Sequence, residues 1–379
     1  MTGMIPAEVF PPGEFLGDEL EARGWTQVEF AELIGKPVRL VNEVIQGKRT
    51  VTPETAVLLA AAIGTSAQFW MNLQTAYQLY ELRKAGPAPD HIAREARLRE
   101  LFPVREIVKR GWIKASEAPD VLEARLLRFY GLKSVNEERG FAHAARRTGG
   151  GELSPAQEAW LYRVKQIAEG MAVRPFSEQL LRGALEQLGA LRSAPEEARH
   201  VPRILSECGV RCAIVEPGPG SKIDGVCFWL EGKNPAIGMS LRIDRIDNFW
   251  FVLRHEIEHV LRGDGKFAAI VDSGLYEVAE KGSDEHADEV AANKAAADFC
   301  IPEDRLDDFL ARVGSNMAEE RVVLFAQSLG VHPGLVVGQI QWRLQRFNFL
   351  RKYLVRIRDT VTPGAMTDGY GRHLLEAAE

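Results

Sequence analysis

Three residues in one apolar segment have the types and the spacing of a zinc-dependent catalytic site. His255, Glu256 and His259 form the pattern His-Glu-x-x-His within residues 249–261, which are otherwise mostly apolar. Side chains four residues apart lie on the same face of an α-helix, so both imidazoles can reach one metal ion. Bound zinc lowers the pKa of its water toward neutrality, and Glu256 would take the proton as that water attacks a peptide carbonyl. The pattern therefore predicts a Zn²⁺ cofactor and a hydrolytic reaction.

Catalytic zinc sites usually have three protein ligands and an open fourth position, so a further ligand must come from elsewhere in the chain. We expect Glu289, on a predicted downstream helix, to supply it. Asn293 follows one turn later and is predicted to hydrogen-bond a ligand. Other metal-binding side chains close to Glu289 remain alternatives: Asp284, Glu285, His286 and Asp288. Candidates for stabilising an oxyanion are Tyr276, His286 and His332.

Composition limits the class of protein that carries these residues. The chain has 379 residues, 26% charged and 46% hydrophobic, which predicts two or three folded domains. It has no apolar run of about eighteen residues and no signal peptide, so we expect a cytoplasmic protein without a membrane partner. The four cysteines contain no CxxC pair and are predicted to be reduced. The net charge of -6 argues against a protein that coats nucleic acid nonspecifically, although a local DNA contact remains open.

The first 85 residues have the apolar spacing of short helices separated by turns. A first helix is predicted over residues 14–23, and Thr26 with Glu29 forms the capping box of a second. Pro37 suits the first position of a third helix, Pro53 opens a fourth, and Ser66 caps a fifth. Two short helices joined by a glycine-containing turn make a helix-turn-helix.

Several short sequences in this region resemble one family. They are Trp-Thr-Gln at 25–27, Gln-Gly-Lys-Arg at 46–49, Thr-Pro-Glu-Thr-Ala at 52–56 and Phe-Trp-Met-Asn-Leu-Gln at 69–74. In this order they resemble the HigA-type antitoxin branch of the lambda-repressor-like helix-turn-helix proteins. The resemblance implies a five-helix domain that binds operator DNA and is commonly a homodimer.

In such a domain the third helix would enter the major groove of DNA. The predicted phosphate contacts are Gln27, Lys48 and Arg49, the predicted base contacts are Val38, Arg39 and Asn42, and Lys36 completes the predicted DNA-binding set. Residues 1–85 contain seven basic and ten acidic residues, so the domain is not strongly basic. Protein interaction is therefore the alternative to DNA binding.

The rest of the chain divides into three predicted segments. Residues 86–204 begin with Gly-Pro-Ala-Pro and read as a helical linker or scaffold, with helices near 104–110, 121–130, 154–171 and 177–191. Residues 205–350 begin with predicted strands at 210–215, 226–230 and 236–241, followed by the helix that carries the His-Glu-x-x-His pattern. Residues 351–379 form a C-terminal extension. The expected fold class is mainly α with a small β-sheet (α+β).

The second half of the chain resembles another family. The resemblance is carried by residues 249–263, 289–293 and 297–302, with support from 224–225, 235–238 and 332–338, and the family is that of the ImmA/IrrE-type zinc metallopeptidases. The resemblance implies a zincin-like domain with two histidines and a glutamate as ligands, and cleavage of a regulatory protein such as a repressor or toxin-related regulator. Relatives usually have an aromatic residue where Ala295 stands, which weakens the alignment that selects Glu289.

Two functions therefore compete. The first is a regulatory zinc metalloendopeptidase that carries its own DNA-binding domain. The second is a HigA-like antitoxin and transcriptional repressor in which the metal site is structural or senses a ligand. The second hypothesis predicts salt-dependent operator binding without turnover.

Overall fold

The computed structural model describes residues 9–85, 90–116, 118–143, 145–147, 152–275, 287–314 and 317–370. The chain divides into two compact units, Met1–Ala93 and Arg94–Glu379. The described residues are mostly helical with one small mixed sheet, in agreement with the expected fold class. Tyr276, Asp284, Glu285 and His286, which were candidate site residues, lie outside the described residues.

Within the first unit, residues 9–85 contain five helices. They are α1 (Pro12–Arg23), α2 (Gln27–Leu33), α3 (Val38–Ile45), α4 (Pro53–Ile63) and α5 (Ala67–Ala85). The Thr26 side chain accepts a hydrogen bond from the Glu29 backbone N–H, and the Glu29 carboxylate accepts one from the Thr26 N–H, which confirms the capping box of α2. Pro37 is the N-cap of α3 rather than its first helical residue. Phe30, Val41 and Trp70 lie in the core.

The remaining helices follow in chain order. They are α6 (Asp90–Leu101), α7 (Val104–Lys109), α8 (Pro119–Tyr130), α9 (Gly140–His143), α10 (Pro155–Glu169), α11 (Glu178–Ala190), α12 (Val201–Glu207), α13 (Ile246–Arg262), α14 (Ala287–Cys300), α15 (Glu303–Val313), α16 (Glu319–Leu329), α17 (Pro333–Leu344) and α18 (Arg358–Val361). None of the described helices is long and apolar enough on its own to cross a membrane. Helices α16 and α17, which meet at a bend of 117°, together have the length and apolar composition of a membrane span.

The described strands form one six-stranded sheet. They are β1 (Arg146–Arg147), β2 (Arg211–Val215), β3 (Ile223–Leu230), β4 (Asn234–Met239), β5 (Ile270–Ser273) and β6 (Met366–Asp368). Their spatial order is β1-β5-β3-β4-β2-β6, with β3 antiparallel to both of its neighbours and the other pairs parallel. The prediction of a strand to residue 241 was wrong at its end, because Leu241 has a φ of 47° and has left the extended region.

Helices cover both faces of this sheet. On β3, Val226 and Phe228 pack in the cluster that includes Trp160 of α10, whereas Cys227 packs in the cluster that includes Trp250 of α13. This alternation follows from the period of two in an extended strand. Strand β1 comes from the segment predicted as a helical scaffold and β6 from the predicted C-terminal extension, so the sheet joins parts of three predicted segments. The boundaries at 85, 204 and 350 stay predictions.

Candidate metal centre and nucleic-acid surface

Helix α13 carries the two histidines on one buried face. The helix has an acidic residue, Asp247, in its first turn and ends at Gly263, which caps it with a φ of 74°. His255 and His259 are both fully buried, and their Nε2 atoms lie 3.1 Å apart. Two nitrogens that bind the same tetrahedral zinc ion at its usual bond length are roughly 3.3 Å apart. The imidazoles are therefore positioned for one shared ion.

Glu289 of α14 lies beside both histidines. One carboxylate oxygen is 3.5 Å from His255 Nε2, and the other is 3.7 Å from His259 Nε2. The neighbouring alternative, Asp288, instead accepts a hydrogen bond of 3.0 Å from Arg262. The structure thus brings the preferred third ligand to the histidine pair and places Asp288 in a different contact.

Asp272 of β5 is a fourth potential ligand, and the sequence analysis missed it. Its Oδ2 is 3.3 Å from His255 Nε2 and 3.8 Å from His259 Nε2, and its side chain is fully buried. One donor atom from each of these four residues lies within 4.8 Å of every other. The available signal was an acidic residue at the end of the short apolar run 267–271, which the sequence analysis did not assign to a strand.

One outer contact orients His259, a candidate ligand. His259 Nδ1 lies 3.1 Å from a carboxylate oxygen of Asp264, which leaves Nε2 facing the cluster. Such carboxylate–histidine pairs fix the ring orientation of metal ligands. Asn293 is half-buried on α14 and makes no hydrogen bond with the ligands in the described part of the chain.

Glu256 adjoins the cluster but is not among its four potential ligands. It is fully buried, and its neighbours include the carboxylate of Asp272. Burial raises the pKa of Glu256 well above its ordinary value, and the carboxylates of Asp272 and Glu289 raise it further. Gly225 of β3 provides the space for it, since a Cβ at that position would lie 1.9 Å from Glu256 Oε1.

The electrostatics of the cluster fit a divalent cation. Burial opposes a charge on His255, but the nearby carboxylates of Asp272 and Glu289 outweigh it and raise the pKa of His255 to about 10. Buried acidic side chains require a compensating positive charge. A metal ion bound by imidazole and carboxylate groups supplies that charge, and these donor types suit zinc.

His332, a candidate oxyanion stabiliser, caps the start of a helix. It is the N-cap of α17, and its Nδ1 accepts a hydrogen bond of 3.0 Å from the Gly334 N–H.

The predicted DNA-binding residues are all at least partly exposed. Val38 and Arg39 are exposed at the start of α3, while Val41 and Val44 of the same helix are buried. Asn42 donates a hydrogen bond of 3.1 Å to the Gln27 side chain, which joins α3 to the start of α2. Lys36 is partly exposed, and Lys48 and Arg49 are exposed.

Glu43 is a residue of this surface that the sequence analysis did not identify. Its carboxylate forms ion pairs with Arg39 at 2.7 Å and with Arg49 at 3.1 Å. These pairs hold two predicted DNA contacts close together and offset their positive charge.

Comparisons with known proteins match this first unit. A helix-turn-helix family matches residues 16–70. The uncharacterized HTH-type transcriptional regulator YddM of Escherichia coli is 34% identical over 73 residues, which are 19% of this chain and 78% of that protein. Antitoxin HigA-1 of Vibrio cholerae is 39% identical over 72 residues, 19% of this chain and 68% of that protein.

A solved structure of the Pseudomonas aeruginosa antitoxin HigA with the higBA promoter is 33% identical and covers 21% of this chain and 86% of its own, with a TM-score of 0.20. By these matches, the chain belongs to the helix-turn-helix family, and residues 16–70 are the part that shows it.

Proposed function

We propose that the chain is a DNA-binding transcriptional regulator whose second unit binds zinc. The observation that carries this proposal is the match of residues 16–70 to the helix-turn-helix family, together with the exposed side chains at the start of α3. Operator DNA is the proposed partner, and the antitoxin among the relatives makes an adjacent toxin gene a reasonable second feature to look for.

Base contacts, rather than bulk charge, would provide most of the recognition. Arg39 can donate two hydrogen bonds to guanine, and Asn42 can pair with adenine through its amide. Since Glu43 offsets the charge of Arg39 and Arg49, phosphate attraction alone should be weak. Binding to DNA would therefore depend strongly on sequence.

The test is a fluorescence-anisotropy titration of the full chain on DNA from its own promoter at low salt, with scrambled DNA beside it. Arg39→Ala and Asn42→Ala should each weaken operator binding by about 1–3 kcal/mol, the value of a bidentate base contact. Arg182→Ala is the matched control, because Arg182 is also an exposed helical arginine with an acidic i,i+4 partner. Equal binding by all variants, or no binding to promoter DNA, would contradict the proposal.

The second candidate function is zinc-dependent cleavage of a regulatory protein. It is favoured by the carboxylate of Glu256, which adjoins the four potential ligands without being one of them. His255, His259 and Glu289 would hold the ion, which when bound polarises the substrate carbonyl and acidifies water. Glu256 would accept the proton from that water and pass it to the leaving amine.

Two measurements test this candidate in order. Metal analysis of the purified chain should give one zinc ion, which His255→Ala should remove. Glu256→Gln should keep the ion and abolish cleavage of regulators encoded near the gene, because the amide cannot accept the proton. Cleavage that survives in Glu256→Gln would exclude the mechanism, and operator binding without any turnover would favour the repressor with a structural metal.

A further inference from the structure

Asp272 lies beside both imidazole nitrogens of the candidate metal centre. Its distances to the two imidazole nitrogens, 3.3 and 3.8 Å, are close to those of Glu289, at 3.5 and 3.7 Å. The two Glu289 distances belong to its two different carboxylate oxygens, and the imidazole nitrogens lie 3.1 Å apart, so donor atoms from all four residues surround one position. Ligands of a tetrahedral zinc ion are separated by roughly 3.3–3.5 Å.

The number of protein ligands separates two kinds of zinc site. A site with three protein ligands keeps a position for water, whereas a site with four is closed. We propose that Asp272 is the fourth zinc ligand and that β5 thereby holds the site in a closed, latent state. This inference rests on the proposed zinc binding, and it adds that hydrolysis requires Asp272 to leave the ion.

The alternation of side chains along β5 explains why Asp272 faces the histidines. Gly225 pairs with Asp272 and Ile223 with Ser273, so Asp224 is an extra residue on β3 at this point. A β-bulge of this kind redirects neighbouring side chains and is frequent beside functional sites. On β5 itself, Val271 packs in the cluster that includes Trp160, so the next residue, Asp272, faces the opposite side of the sheet, toward the histidines of α13.

Asp224 also holds the end of β5 in place through hydrogen bonds. Its carboxylate accepts hydrogen bonds from the Leu275 backbone N–H at 2.8 Å and from Arg242 at 2.9 and 3.0 Å. The Gly274 N–H donates a further hydrogen bond of 3.0 Å to the Lys222 carbonyl. Asp224 is thus a positioning residue, which acts on the metal site through β5.

Cobalt substitution can count the protein ligands. The full chain is stripped of metal, loaded with Co²⁺ and titrated with acetohydroxamate, which binds a metal only where a position can be vacated by water. The visible Co²⁺ bands of the unaltered chain should be those of a tetrahedral ion and should not respond. In Asp272→Ala the Co²⁺ bands should shift when acetohydroxamate is added. The zinc affinity of this variant should also fall by at least about tenfold, which is the smallest loss expected when even an outer contact of a ligand is disturbed.

Two further variants keep the test decisive. Asp272→Asn preserves the shape of the side chain and should also respond to hydroxamate, which covers the case in which Asp272→Ala does not fold. Asp288→Asn is the control, because Asp288 is an acidic residue next to Glu289 that pairs with Arg262 instead. Its spectrum should match that of the unaltered chain.

The outcomes separate this inference from the proposed function. A hydroxamate response in the unaltered chain equal to that of Asp272→Asn would overturn the inference while leaving zinc binding intact. Failure of the unaltered chain to bind Co²⁺ or Zn²⁺ would overturn both. A response confined to the Asp272 variants supports the closed site, even if no variant cleaves a protein.

Discussion

Gly225 shows how closely single residues are fitted around the candidate metal centre. The carboxylate of Glu256 occupies the space in which any side chain at position 225 would begin. Gly183, by contrast, lies exposed in the interior of α11, with nothing within 4 Å of a Cβ placed there. The two glycines therefore make a matched pair for substitution.

We expect Gly225→Ala to destabilise the protein by about 1–3 kcal/mol, the usual cost of overpacking a core. The added methyl group should displace Glu256, and this movement should also lower zinc affinity, because His255 is the preceding residue of the same helix. Gly183→Ala should stabilise by about 0.5–1 kcal/mol, since alanine favours a helix interior. Denaturant unfolding and metal titration measure both effects. An unchanged or raised stability for Gly225→Ala would show that Glu256 does not occupy this space.

His332 predicts a dependence of stability on pH. Burial lowers the pKa of His332, and nearby Glu196 opposes that shift only in part. A group whose folded pKa is depressed contributes stability above its unfolded pKa, about 6.5, and loses it as the pH falls through the folded value. Protonation of Nδ1 also removes the cap of α17, which is worth about 1 kcal/mol.

The His332→Asn protein should therefore lose less stability than the unaltered chain when the pH falls from about 7 to about 5, a range that spans the ordinary histidine pKa. The reason is that an asparagine cap does not titrate in this range. Melting temperatures measured across this range provide the comparison. Parallel curves for the two proteins would exclude His332 as the titrating group.

The sequence identified the members of the candidate metal cluster that lie on one helix, and it missed the member that depends on strand pairing. His255 and His259 are related by local helical geometry, and Glu289 was selected through a family resemblance. Asp272 reaches the cluster through the pairing of β5 with β3, a non-local contact that leaves no period in a four-residue strand. Local patterns do not encode such contacts.

Among the elements, helices with local start signals were predicted best. The capping residues Thr26 and Ser66 act as expected, since each accepts a hydrogen bond from a backbone N–H three residues later. Strands β1 and β6 have only two and three residues and were not predicted. Their existence depends on neighbours that are distant in the sequence.

The capping box gives a prediction for the element α2. Thr26→Ala should destabilise the helix-turn-helix unit by about 1 kcal/mol, because the Glu29 N–H loses its acceptor. Thr50→Ala, which changes an exposed threonine of the same unit outside any described cap, should have little effect. Thermal unfolding followed by circular dichroism distinguishes the two. Equal melting temperatures for both variants would show that the box does not stabilise α2.

At the scale of the whole molecule, the two units have separate hydrophobic cores. A ligand that binds only one folded unit stabilises that unit, by about 4 kcal/mol at a thousand times its dissociation constant. We expect calorimetry to resolve two transitions, of which a chelator such as EDTA lowers only one. His255→Ala should make that transition insensitive to the chelator. A shift of both transitions, or of neither, would contradict the assignment of the metal to the second unit.

The order of the strands has a consequence for synthesis on the ribosome. The helix-turn-helix unit is complete by Ala93, whereas β2 obtains its outer neighbour only when residues 366–368 have been made. Because domains generally fold as units in the order of their translation, the DNA-binding unit should fold first. The nascent chain would then be able to engage an operator before the unit with the candidate metal centre had formed.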